Sequence, residues 1–108
     1  IIRNLDLREV PSATPGVIIS NVHVPYPLFG AIAPWNFPML LALIDAIPAL
    51  LAGSAALIKP SEVTPRFIPA LRAAIADVPE LASVLAIVEG DAATGQAIVE
   101  QVDYICFT

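Results

Sequence analysis

Asn36 is an asparagine held between Pro34 and Pro38 in "IAPWNFPMLL" (32–41), with Trp35 beside it and apolar residues on either side. A buried strand or helix has little use for an amide bracketed in that way. It is either a polar group displayed at a site, or the cap of a following helix in a rigid turn whose Trp35 fills the core. A second polar cluster, Lys59, Pro60, Ser61 and Glu62, follows another apolar run. Lys59 and Glu62 stand three apart and offer a donor and an acceptor suited to a ribose diol. A carboxylate that accepts from a 2′-OH would disfavour a 2′-phosphate by repulsion. Taken alone, the same four residues also read as an ordinary loop between a strand and a helix. A third cluster, Glu89, Gly90 and Asp91 with Thr94 and Gly95 just beyond, serves equally as a turn and a helix cap.

The segments between these clusters must position them. "LFGAIA", from Leu28, reads as a short buried strand. Residues 38–52 read as an apolar helix closed by Gly53, and "AALIK" (55–59) as a second strand. Thr64 is placed to cap a helix with Pro65 at its first position, running through "RFIPALRAAIAD" with Pro69 in its first turns. "SVLAIV" (83–88) is a third strand, "ATGQAIVEQV" (93–102) a third helix and "YICF" (104–107) a fourth strand. Short apolar strands alternating with helices predict an α/β fold, a Rossmann-like doubly wound parallel sheet built of βαβ units. Each polar cluster then follows the carboxyl end of a strand, the edge on which open parallel sheets bind ligands. Helix N-termini on that edge would offer N–H groups and partial positive charge to a pyrophosphate. No G-x-G-x-x-G occurs in the sequence, so a dinucleotide would have to be held in another way.

Composition narrows the function classes. Of 108 residues, 57% are hydrophobic and 14% charged, an oily balance that predicts surface packed against more of a longer chain or a partner subunit. The chain begins with Ile and stops after "YICFT", so it reads as a piece of a larger protein. A net charge of −5, with five scattered Lys and Arg, excludes a nucleic-acid surface. The apolar stretch 37–52 is too short for a bilayer span and is interrupted by Asp45 and Pro48, which argues against a membrane protein. The first ten residues lack the apolar core of a signal peptide. The single cysteine, Cys106, fits a reducing cytoplasm and reads as an inert residue within a strand. No cluster has metal-ligand spacing, and His23 reads as a solvated residue. Residues 1–15 read as a loop, and "GVIISNVHV" (16–24) as a loosely alternating antiparallel arm ended by Pro25 and Pro27. Asp45 is expected on an exposed or subunit-contacting face, since a buried charge there would need a partner.

The stretches "GAIAPWNFPMLLALIDAIPALLAG" (30–53), "AALIKPSEVTP" (55–65), "VEGDAATG" (88–95) and "VDYICFT" (102–108) together resemble the aldehyde dehydrogenase superfamily, in its order and spacing. The resemblance implies oxidation of a small aldehyde to a carboxylic acid with NAD, or NADP, through a cysteine thiolate and a glutamate-activated water. It implies that the Asn36 amide steadies the oxyanion of the tetrahedral intermediate. Ile32, Ala33, Pro34 and Trp35 would line the nicotinamide side. Lys59 and Glu62, with Ser61, would meet the adenosine ribose. Gly90, Asp91 and Gly95 would form the adenine-side wall, with Phe107 and Thr108 completing the cofactor contacts. Residues 1–27 would form part of the oligomerisation region, implying a homo-dimer or homo-tetramer. Residues 28–108 would be the first part of the NAD(P)-binding domain.

The sequence departs from the family pattern at Asp45, where many members carry Lys, and at Pro27, where many carry Gly. In the family the nucleophilic cysteine and the general-base glutamate lie beyond the position of residue 108, and Cys106 is misplaced for that nucleophile. These residues alone are therefore expected to be inactive. A reductase of acyl-thioesters or acyl-phosphates with the same fold, or a non-catalytic relative serving as a structural or binding subunit, are the alternatives.

Overall fold

The computed structural model describes residues 10–20 and 22–108. The loop reading of residues 1–9 and the place of Asn21 in the arm lie outside the described residues. Strand β1 (Val10–Pro11) pairs antiparallel with β2 (Ile18–Ile19), so that Val10 faces Ile19 and Pro11 faces Ile18. The arm is shorter than its β-branched sequence predicts, with β2 covering Ile18–Ile19 of residues 16–24, and Gly16 turns the chain between the two strands at φ +79°. Ile18, Val22 and Val24 are all well exposed, at 66%, 79% and 81%, so the apolar side of this arm covers nothing among the described residues. His23 is exposed, as its position in the arm predicts.

Four parallel strands form the sheet: β3 (Leu28–Ile32), β4 (Ala55–Lys59), β5 (Leu85–Ile87) and β6 (Tyr104–Phe107), in the order β5-β4-β3-β6. The chain steps outward from β3 to β4 to β5, then crosses back to lay β6 on the other side of β3. Crossovers of one hand therefore put the last helix on the opposite face from the earlier ones. Along β3 the side chains alternate. Phe29, Ala31 and Ala33 join the core with Ala42, Ala46, Ala56, Ile58 and Ile68, while Gly30 and Ile32 face the other helix layer. Alanines at the contact between helix and sheet, with Ala42 and Ala46 wholly buried, let the two layers approach closely. This is the doubly wound fold that the alternating apolar runs predict.

Prolines account for most differences in element boundaries. The helix predicted over 38–52 is two helices, α1 (Pro38–Leu43) and α2 (Ala46–Ala52), broken at Asp45. Pro48 has no N–H to return to the carbonyl of Ile44, so the helical ladder cannot run through that point. Gly53 closes α2 in the left-handed conformation, φ +102°, as its sequence position predicts. The next crossover opens as a 3₁₀ turn (Pro65–Phe67) and becomes α3 (Ile68–Ala76). Pro69 cannot donate to Pro65, and Ile68 N–H takes that carbonyl instead. Thr64 makes no side-chain cap there, against expectation. A short α4 (Pro79–Ala82), absent from the sequence reading, takes up Ser83 and Val84 at its end and shortens β5 to three residues. Helix α5 spans Ala92–Gln101.

Candidate functional site

A cavity of about 390 Å³ lies between the carboxyl ends of β3 and β4 and the face of α5. It sits where the strand order reverses, beside the junction of β3 and β6. Ile32 and Ala33 line it from the end of β3, and Phe107 from β6. Lys59, Ser61 and Glu62 enter from β4, and Asp91 and Gly95 from the start of α5. Residues from separate stretches of sequence thus meet on one edge of the sheet. The sequence reading missed Ala92, Gln96 and Val99, which also line the cavity. They recur at three- and four-residue steps through Gly95, so continuing that helical face would have found them.

Lys59 is the charged centre of the cavity. Its side chain is 5% exposed, and Nζ donates to Pro60 O at 3.3 Å and Glu62 Oε2 at 3.1 Å. An ammonium has three donors, so one remains for a ligand. Glu62 itself is exposed. A backbone hydrogen bond, then the hydrogen bond and charge of Lys59, hold its carboxyl below the usual carboxylate range. Glu62 therefore stays ionised through neutral and mildly acidic pH. Gly95 packs beside this arrangement: a Cβ there would lie 3.5 Å from Ile32 Cδ1 and 3.6 Å from Lys59 Cδ, ordinary van der Waals contacts.

Asp91 caps α5, accepting from the N–H groups of Ala93 at 3.0 Å and Thr94 at 3.4 Å. Those donors are already satisfied and a carboxylate stands at that helix end. The N-terminus of α5 is thus not the anion site that a bare helix end would offer. Gly90 approaches Thr94 so closely that a Cβ would overlap Thr94 Oγ1 and lie 2.6 Å from Thr94 Cβ.

Pro34, Trp35, Asn36, Gly90 and Thr108 do not line this cavity. Gly90 borders a smaller one of about 110 Å³ with Ser61 and Glu62. Thr108 N–H donates to Ile32 O at 3.2 Å and carries the β3–β6 ladder one residue further. The turn after β3 is not the capping, core-filling turn that was the alternative for this stretch. Trp35 is 60% exposed and fills no core, and α1 begins at Pro38 after Phe37, which gives no side-chain cap. Asn36 is exposed and makes no hydrogen bond among the described residues. Its amide is displayed at the carboxyl edge of the sheet.

Cys106 belongs to the other face. Its thiol donates to Asp45 Oδ2 at 3.1 Å, and that bond, with burial, pushes the thiol pKa above its ordinary value. A protonated thiol turned away from the cavity is no nucleophile for it. Asp45 is half-buried rather than exposed, and Cys106 is the partner such a charge needs. Among the described residues no cluster of His, Cys, Asp and Glu could hold a metal ion, and no helix is long and apolar enough to cross a membrane.

The model of the aldehyde dehydrogenase family matches residues 1–108. The chain belongs to that family. A protein of Mycolicibacterium smegmatis, provisionally named a succinate-semialdehyde dehydrogenase (NADP(+)), is 40% identical over 103 residues, 94% of this chain and 20% of its own length. A solved structure from Anabaena variabilis, PutA, provisionally an aldehyde dehydrogenase, superposes with a TM-score of 0.88 at 48% identity. It is covered over 21% of its length by 92% of this chain. Staphylococcus aureus AldH in a substrate-bound state gives a TM-score of 0.72 at 25% identity, over 91% of this chain and 22% of that one. The chain spans about one fifth of the length of the curated relatives it matches.

Proposed function

We propose that residues 28–108 form the first part of the cofactor-binding domain of an NAD(P)-dependent aldehyde dehydrogenase that converts a small aldehyde to a carboxylic acid. The observation that carries this reading is the buried Lys59, paired with Glu62, facing a cavity at the point where the strand order reverses. Family resemblance assigns the nucleophilic cysteine and the general-base glutamate to sequence after Thr108. The thiolate adds to the aldehyde carbonyl, loss of hydride leaves a thioester, and water releases the acid and restores the thiol. The bound dinucleotide supplies the hydride acceptor. Asn36 donates its side-chain N–H to the oxygen that becomes negative on thiolate addition. A neutral donor already held in place stabilises that charge without reorganising.

The residues fit a dinucleotide. Lys59 retains a donor for a ribose hydroxyl, Glu62 is an ionised acceptor beside it, and the cavity volume lies in the range of small-molecule sites. Asp91 adds a second carboxylate to the same lining. This balance favours NAD over NADP, although the names of the mycobacterial relatives carry NADP(+). The exposed apolar residues of the arm support a contact with a second copy of the chain in a homo-dimer or homo-tetramer.

Aldehyde-dependent reduction of each cofactor by the full-length enzyme tests the reading. NAD should give the higher kcat/KM, and Glu62→Ser should shift the ratio toward NADP roughly tenfold by removing repulsion from a 2′-phosphate. An unchanged ratio would take Glu62 out of cofactor selection. Absence of aldehyde oxidation with either cofactor would overturn the activity itself.

A further inference from the structure

We propose that Thr64 is a positioning residue for Asn36, acting through the main chain of Trp35. This rests on the reading of Asn36 as an oxyanion donor. Thr64 Oγ1 donates to Trp35 O at 3.3 Å, joining positions 29 apart in sequence. A threonine just before a helical turn ordinarily turns its hydroxyl to that turn's own backbone, yet Thr64 makes no such bond. Its hydroxyl is directed at the loop that carries Asn36.

That loop has few other ties. Ala33 N–H donates to Lys59 O at 3.0 Å and ends the ladder, while Leu41 N–H donates to Phe37 O at 2.9 Å and begins α1. Between them, among the described residues, the Thr64 bond is the one that links Pro34–Asn36 to another element. Packing does not replace it, since Trp35 and Phe37 are 60% and 63% exposed. Pro34 and Pro38 fix their own φ and restrict the residue before each, which leaves rotation about Trp35 and Asn36. The carbonyl of Trp35 and the N–H of Asn36 belong to one planar peptide unit. Holding the carbonyl sets the plane from which the Asn36 side chain projects, and so sets its aim.

Steady-state kinetics of the full-length enzyme test this. Thr64→Val should lower kcat roughly tenfold, because small misplacements of a catalytic group are costly, while KM for the dinucleotide stays within about twofold. Thr64→Ser keeps the hydroxyl and should stay within about twofold of the parent kcat. The double variant Asn36→Ala/Thr64→Val should be no slower than Asn36→Ala alone, since both act on one group. If Asn36→Ala is slow but Thr64→Val has the parent kcat, the positioning role fails and the oxyanion reading stands. A slow Thr64→Ser, or full additivity in the double variant, overturns the role equally. If Asn36→Ala itself keeps the parent kcat, the oxyanion reading fails and takes this role with it.

Discussion

Asn36→Ala in the full-length enzyme should lower kcat by about 10²–10³-fold, the scale for removing one oxyanion donor. The alanine variant loses nothing structural that the described residues reveal. Asn36 is exposed, caps no helix and bonds no neighbour, so truncating it opens no cavity and orphans no partner. Its amide is unused in the resting fold, and a hydrogen bond made only as negative charge develops belongs to the transition state. The loss should therefore fall on kcat and kcat/KM alike, with KM for the aldehyde little changed. Steady-state kinetics, with a melting curve to establish folding, check this. A near-parent kcat would remove Asn36 from catalysis.

Gly90→Ala should destabilise the enzyme by about 1–3 kcal/mol and weaken dinucleotide binding with it. Gly90 has φ +156°, a backbone state that residues with a Cβ rarely adopt. The larger obstacle is steric. The new Cβ would overlap Thr94 Oγ1 and stand 2.6 Å from Thr94 Cβ, an atom fixed to the helix backbone rather than the tip of a flexible chain. Either the β5–α5 loop or the first turn of α5 must move. Both carry Asp91, which caps the helix and lines the cavity. Thermal unfolding and a binding titration with NAD should thus change together. A variant with the parent melting temperature and affinity would mean that the loop absorbs the methyl elsewhere.

The sheet was legible because its strands are apolar without alternation, as strands covered on both faces must be. The crossover helices were legible from their punctuation, Gly53 closing one and Pro65 opening another, and the three polar clusters marked one edge of the sheet. Boundaries were less so. Pro48 and Pro69 each delete a donor, but whether a proline breaks a helix or opens it depends on which carbonyl it leaves unpaired. Long-range pairings had no local signal. Asp45 and Cys106 lie 61 positions apart, and Thr64 and Trp35 29 apart. Only the order β5-β4-β3-β6 brings β6 beside β3, within reach of the helices that follow it. Lys59 illustrates the middle case: its position after a strand was readable, but its near-complete burial involves α5, a helix two crossovers later whose Gly95 packs beside its side chain.

The central claim is that the cavity between β4 and α5 takes the dinucleotide. Hydrogen–deuterium exchange of the full-length enzyme, with and without saturating NAD, locates the ligand on the chain directly. Bound NAD should slow exchange in peptides covering residues 59–63 and 90–99, which supply Lys59, Glu62, Gly95 and Val99 to the lining. Exchange across α4, at the opposite edge of the sheet, should be unchanged. Protection of other segments of the enzyme, with none at 59–63 and 90–99, would contradict the assignment of this cavity.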